Sequence, residues 1–217
     1  MYTGNVKVGG SADVHELPKL IVSKLAVGPY NNNAYVLRCR RTGAQVLIDA
    51  PSEADRLLTL IGKDGVELVI TTHSHHDHWG ALAEVVAATG AMTAAHLLDA
   101  PQIPVPTDVL LADQDLMTFG DCSLQAIHLV GHTPGSIALL YQDPDGPSHL
   151  FTGDCLFPGG VGNTEKDAAR FDALLGDVTS KLFDRLPDET WVYPGHGYDT
   201  TIGRERPELA SWRERGW

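Results

Sequence analysis

Short apolar runs, rich in Val, Leu and Ile, recur along the chain between clusters of Gly, Pro and Asn. Residues 20–27, 34–40 and 45–49 read as three strands bounded by those turn residues. The spacing then changes. Ala54, Leu57, Leu58 and Ile61 recur at helical intervals, so residues 52–61 read as a helix, with Ser52 as its N-cap and Gly62 and Gly65 closing it. Residues 66–72 read by composition as a buried strand. Residues 80–89 form an alanine-rich helix stopped by Gly90. A short strand over 91–95 follows, and Pro101, Pro104 and Pro106 make the next stretch non-helical. Residues 122–130 and 137–142 read as strands on either side of a Gly-His-Thr-Pro-Gly loop. A turn over 143–147, a strand over 149–152, the longest helix over 167–186 and a last strand over 191–193 complete the pattern.

Strands and helices are mixed over the whole length, which predicts sheets covered by helices and an α/β class. No linker-like stretch divides the 217 residues, so a single domain is expected, with residues 1–11 as a loose tail. A hydrophobic fraction of 43% is enough for a core without staples. The net charge of −12 argues against nucleic acid or an anionic membrane surface as a partner. Cys39, Cys122 and Cys155 are too few and too irregular for a disulfide framework. The first residues lack a basic-then-apolar signal pattern, and no run is long enough to span a bilayer. A cytoplasmic protein acting on a small molecule is the expectation.

The chemistry concentrates in His73-Ser74-His75-His76-Asp77-His78, directly after the apolar run 68–70. Imidazoles and carboxylates are ligands for zinc, iron and manganese. Three later loops repeat one design, an apolar strand and then glycine beside a ligand-type residue: Gly131-His132, Gly153-Asp154 and Gly195-His196. Glycine permits the sharp bends that let such loops converge. Five histidines and two aspartates exceed a structural zinc site and suit two metals, three histidines at one, two histidines and an aspartate at the other, with one aspartate shared.

These residues resemble the metallo-β-lactamase fold superfamily, in its hydroxyacylglutathione hydrolase (glyoxalase II)-like branch. The motifs are Thr72-His73-Ser74-His75-His76-Asp77-His78, Gly131-His132-Thr133-Pro134-Gly135, Thr152-Gly153-Asp154 with Leu156-Phe157, and Pro194-Gly195-His196-Gly197. The resemblance implies a four-layer αβ/βα sandwich, two mixed sheets flanked by helices. It implies two divalent metal ions, zinc before iron or manganese. His73, His75 and His132 would hold the first, Asp77, His78 and His196 the second, and Asp154 would bridge. Asp49 would orient a metal-binding histidine by accepting its far N–H.

The implied activity is hydrolysis of a thioester or related ester by a metal-bridging hydroxide, with Asp77 and Asp154 supporting the catalytic centre and Asp154 able to take up a proton. Two departures stand out. Only about twenty residues follow His196, so the branch's C-terminal helical domain for glutathione is not expected. Asn163 stands where the branch usually carries a Lys or Arg that grips glutathione, which points to another thiol or a simpler ester, with Asn163 as a substrate-side residue. An alternative is a mononuclear iron persulfide dioxygenase using His73, His132 and Asp154. A lactonase is another. His76 fills a variable slot and reads as a loop residue. His15, His96, His128 and His149 carry no motif, Cys155 reads as a small buried apolar residue, and Trp212 and Trp217 as packing for a short tail.

Overall fold

Strands that are apolar on both faces need cover on both sides. The computed structural model, which describes residues 1–216, shows how this chain provides it. The first sheet has seven strands in chain order: β1 (Asp13–Glu16), β2 (Leu20–Val27), β3 (Asn32–Cys39), β4 (Gln45–Ile48), β5 (Leu68–Thr71), β6 (Met92–His96) and β7 (Val109–Leu111). Pairing is antiparallel from β1 to β4 and parallel from β4 to β7. The second sheet contains β8 (Leu116–Phe119), β9 (Cys122–His128), β10 (Ile137–Tyr141) and β11 (His149–Gly153). A small ribbon follows, β12 (Leu156–Phe157) with β13 (Gly160–Val161). The second sheet is completed by β14 (Trp191–Pro194), parallel to β11, and β15 (Thr200–Thr201).

Alternation along each strand divides the core in three. Val46, Ile48 and Ile70 meet Leu124, Leu139, Phe151 and Tyr193 between the sheets. Their neighbours Leu47 and Val69 face outward onto Leu57 and Ile61 of α1 (Ala54–Ile61) and Leu82 and Val85 of α2 (Leu82–Thr89). On the far side, Ala138, Leu150 and Val192 pack under Phe171, Leu174 and Leu175 of α3 (Ala168–Asp177). Ile202 of α4 (Ile202–Glu205) and Trp212 of α5 (Leu209–Arg215) close that layer. The result is the four-layer sandwich expected from the sequence.

Several local expectations change. Ser52 does not cap α1. The cap position is Glu53, held at φ 55 without a capping side-chain bond, because its carboxylate instead accepts Gly28 N–H at 2.7 Å and pairs with Arg56. The proline-rich stretch contains one 3₁₀ turn, Ala100–Gln102, which Pro101 tolerates because the first turn needs no N–H from it. The long helix is capped by Asp167, which accepts from Ala169 and Arg170 N–H, and it continues beyond Asp177 as a π-helical segment over Val178–Phe183. The first residues are tied down rather than loose. Tyr2 stacks on His15 at 4.4 Å and donates to Asp199, and the buried Lys24 ammonium donates to Gly4 O, Gly197 O and Asp199. Trp212 is buried as expected; Trp217 lies outside the described residues. No helix among the described residues is long and apolar enough to cross a membrane.

Candidate metal centre

Every element of the site ends at the same edge of the sandwich. The chain leaves β4 into Asp49, leaves β5 into the His73–His78 turn, passes through His132 between β9 and β10, leaves β11 into Asp154 and leaves β14 into His196. Backbone bonds stitch these loops together across the two sheets. Gly195 N donates to Gly153 O at 2.8 Å, Asn33 N to Gly195 O at 2.7 Å, Ile137 N to Thr72 O at 3.0 Å, and Ala50 N to His78 O at 3.0 Å. A 3₁₀ turn over His76–His78 aims Asp77 and His78 inward and leaves His76 exposed against Trp79. A Cβ on Gly195 would lie 2.2 Å from Asp154 Oδ1, so the close approach of that loop requires glycine.

All seven expected ligands converge. His73 Nε2 lies 3.1 Å from His75 Nδ1 and 3.2 Å from His132 Nε2. His78 Nε2 lies 3.3 Å from His196 Nε2. Asp77 Oδ2 is 3.5 Å from His196 Nε2 and 3.8 Å from His78 Nε2. Asp154 stands between the groups: Oδ2 is 3.6 Å from His132 Nε2 and 3.3 Å from His196 Nε2, and Oδ1 is 3.4 Å from His78 Nε2. Three sets offer atoms within 4.8 Å of one another: His73, His75 and His132; His73, His78 and Asp154; and Asp77, His78 and His196.

The outer nitrogens decide what the inner ones can do. His132 Nδ1 faces Asn163 O at 2.8 Å, and His196 Nδ1 faces Tyr30 O at 2.9 Å. A carbonyl only accepts, so each Nδ1 carries a proton and, in the neutral ring, each Nε2 presents a lone pair inward. His78 Nδ1 is held the same way, 2.8 Å from Asp49 Oδ2. Asp49 is itself fixed by Thr72, whose N–H and hydroxyl donate to it at 2.8 and 2.9 Å. Lone pairs therefore face one another and two carboxylates, and the buried Asp154 Oδ1 has no hydrogen-bond partner. Such a nest is repulsive unless positive charge enters it.

The protonation tendencies point the same way. Burial alone would push His78 down, but Asp154 and Asp49 outweigh it and hold His78 well above its ordinary value. His196 is raised in the same manner, burial opposing and Asp154 prevailing. Burial would raise Asp154, yet His78 and His196 keep it well below the usual carboxylate range. Burial drives His73 and His132 down, toward the neutral form that ligates a cation. The donor set, the orphaned oxygen and the fixed tautomers fit divalent metal.

A cavity of about 490 Å³ opens beside this centre, lined by Ser74, His75, Gln102, His132, Pro134 and Arg170 among others. Residues 27–196 match the metallo-beta-lactamase superfamily. The chain belongs to that superfamily. It is 35% identical over 182 residues to a hydroxyacylglutathione hydrolase of Polaromonas sp., covering 82% of this chain and 67% of that protein. The chain spans about two thirds of the length of the curated hydroxyacylglutathione hydrolases it matches. Among solved structures, ETHE1 from Myxococcus xanthus superposes with a TM-score of 0.75 at 29% identity, covering 88% of this chain and 84% of that one. A protein solved in a di-iron-bound form superposes with a TM-score of 0.68 at 32% identity, covering 84% and 96%.

The remaining sequence candidates sort clearly. Asp49 lies against His78, Oδ2 being 2.8 Å from Nδ1. Asn163 meets the centre only through its carbonyl, at His132 Nδ1; its side-chain oxygen accepts Glu165 N–H, and the residue lines a second cavity of about 610 Å³ with Lys166. Cys155 is fully buried in the outer core, its thiol pushed up by burial. His15 and His149 share the Tyr193 hydroxyl, and His96 stacks on His128 at 4.0 Å. Sequence reasoning missed Asn32, buried at the start of β3, whose amide donates to Asp77 at 2.9 Å. The Asn31-Asn32-Asn33 run was its only signal.

Proposed function

We propose that the protein hydrolyses a thioester or related ester at a binuclear centre. In this reading His73, His75 and His132 would hold one cation and Asp77, His78 and His196 the other, with Asp154 serving both. The observation that carries it is the place of the Asp154 carboxylate, within 3.3–3.6 Å of His132 on one side and of His78 and His196 on the other. Two divalent cations, zinc in the first instance, would supply hydroxide near neutral pH and polarise the carbonyl oxygen. The chain's own part is to hold the ligand lone pairs inward through Asp49, Asn163 O and Tyr30 O, and to offer Asp154 as a proton acceptor. The substrate carbonyl enters from the cavity beside His75 and His132. In hydrolysis the carbonyl carbon would gain a C–O bond from water and lose its C–S bond, the thiolate leaving without a strong acid. With Asn163 where a basic residue would grip glutathione, the acyl carrier is a different thiol or a simple alcohol. A lactone is the cyclic version of the same substrate.

A second reading is a persulfide dioxygenase with one iron on His73, His132 and Asp154, whose ligand atoms also lie together, His132 Nε2 being 3.2 Å from His73 Nε2 and 3.6 Å from Asp154 Oδ2. The second set, Asp77, His78 and His196, offers the place for a second cation that the hydrolase reading needs. Thioesters of several thiols, lactones and a persulfide, assayed with the metal-loaded enzyme, separate the two. Release of free thiol or acid is expected. Oxygen uptake on the persulfide without thioester turnover would overturn the proposal.

A further inference from the structure

Asp99 is fully buried, at the point where the chain leaves β6. It occupies the N-cap position of the Ala100–Gln102 turn, with Pro101 two residues on, yet its side chain makes no capping bond. The carboxylate is turned toward the metal centre instead. Oδ2 accepts the backbone N–H of Ser74 at 2.8 Å and the hydroxyl of Thr133 at 2.6 Å, and Oδ1 accepts the backbone N–H of Gly135 at 2.7 Å. Ser74 sits between His73 and His75, and Thr133 follows His132. One carboxylate thus joins the two loops that carry all three histidines.

The contact is tight on both sides. A Cβ on Gly135 would lie 2.7 Å from Asp99 N and 2.8 Å from both Asp99 Oδ1 and His96 Nδ1, so only glycine lets this loop come so near. Ser136 Oγ holds Thr133 from the other side, 2.9 Å from its N–H and 2.6 Å from its hydroxyl. On the first loop, Ser74 O accepts the Trp79 indole N–H at 2.8 Å, so that peptide is held at both ends. We infer that Asp99 is a positioning residue that locks the His73–His75 loop to the His132 loop and so sets the three-histidine cation site. This rests on the binuclear reading above. Without the carboxylate, the Ser74 and Gly135 amides lose their acceptor and the loops are free to part. The three imidazoles then no longer meet at one point.

The test is zinc binding by chelator competition, with zinc content per chain, for the wild type, Asp99→Ala, Asp99→Asn and Val69→Ala. Asp99→Ala should weaken one of two zinc ions by about 10–100-fold, the range for residues behind metal ligands. Asp99→Asn keeps an acceptor for two of the three donors and should fall between; it carries the test if the alanine variant does not fold. Adding His196→Ala to Asp99→Ala should remove the remaining zinc as well. Val69→Ala, a truncation in the outer core against α1 and α2, should lower Tm while binding zinc as the wild type does. Wild-type affinity in both Asp99 variants would overturn the inference, and so would equal zinc loss in Val69→Ala at equal loss of Tm. A wild-type protein that bound no divalent cation would bring down the binuclear reading itself, a different result from failure at Asp99 alone.

Discussion

Asp49→Asn changes one oxygen into an amino group at a site with no room to adapt. Asp49 is 1% exposed, and its carboxylate accepts three donors, Thr72 N–H, Thr72 hydroxyl and His78 Nδ1–H. Asparagine has one acceptor oxygen and can adopt two orientations. If the oxygen faces Thr72 Oγ1 and His78, the amino group confronts the Thr72 N–H where 2.8 Å separates the heavy atoms. A buried donor left without an acceptor costs about 1–3 kcal/mol. If the amide flips, its NH₂ faces His78 Nδ1, which must then accept. The imidazole proton moves to Nε2, the atom that points at Asp154 and His196, and that nitrogen can no longer ligate. The first outcome reads as lost stability, the second as lost metal. Urea unfolding in chelator and zinc affinity by competition measure them separately. The expectation is a loss of about 1–3 kcal/mol in the metal-free protein or about 10–100-fold weaker binding of the zinc nearer His78. A variant that matched the wild type in both would refute the tautomer argument.

Asp154→Ala should abolish turnover and lower metal content with the circular dichroism spectrum kept; full retained activity would remove Asp154 from the bridging role. Gly195→Ala would put a methyl 2.2 Å from Asp154 Oδ1 and 2.8 Å from His78 Cε1, so metal content should fall sharply, and an undiminished content would show that the loop is not held as described. Burial pushes His149 down to about 4 from 6.5, with Nδ1 on the Tyr193 hydroxyl and Nε2 unpartnered. Between those two values the unfolded chain binds a proton that the folded one does not, so stability is full above pH 6.5 and lost as pH falls toward 4. The loss is on the order of 3 kcal/mol. His149→Asn should flatten that part of the profile in urea unfolding at pH 7 and pH 4.5; parallel losses in both proteins would reject it.

The runs that became β2 to β5, β10 and β11 were legible because burial on both faces fills them mostly with Val, Leu, Ile and Ala, even in β4 and β5, which are only four residues long. β1, β7 and β8 were not, being equally short but partly exposed; in Leu116–Phe119 the alternation is present but too brief to separate from a loop. The π-helical stretch over Val178–Phe183 leaves no periodic signature distinct from an α-helix. The hold on the first residues depends on Tyr2 and Lys24 reaching Asp199, partners more than 170 positions apart, which no local pattern encodes. The seven converging side chains were legible because each lies in a short motif after a strand. Asn32 and Asp99 were hidden for the opposite reason: each works on a loop from another part of the chain, and Asp99 looks locally like an ordinary helix cap.

The most direct check is the metal content of protein purified without chelators, by elemental analysis. About two divalent ions per chain are expected, with thioester turnover lost on chelation and restored by zinc. A single iron per chain, or none with turnover intact, would contradict the shared place given to Asp154.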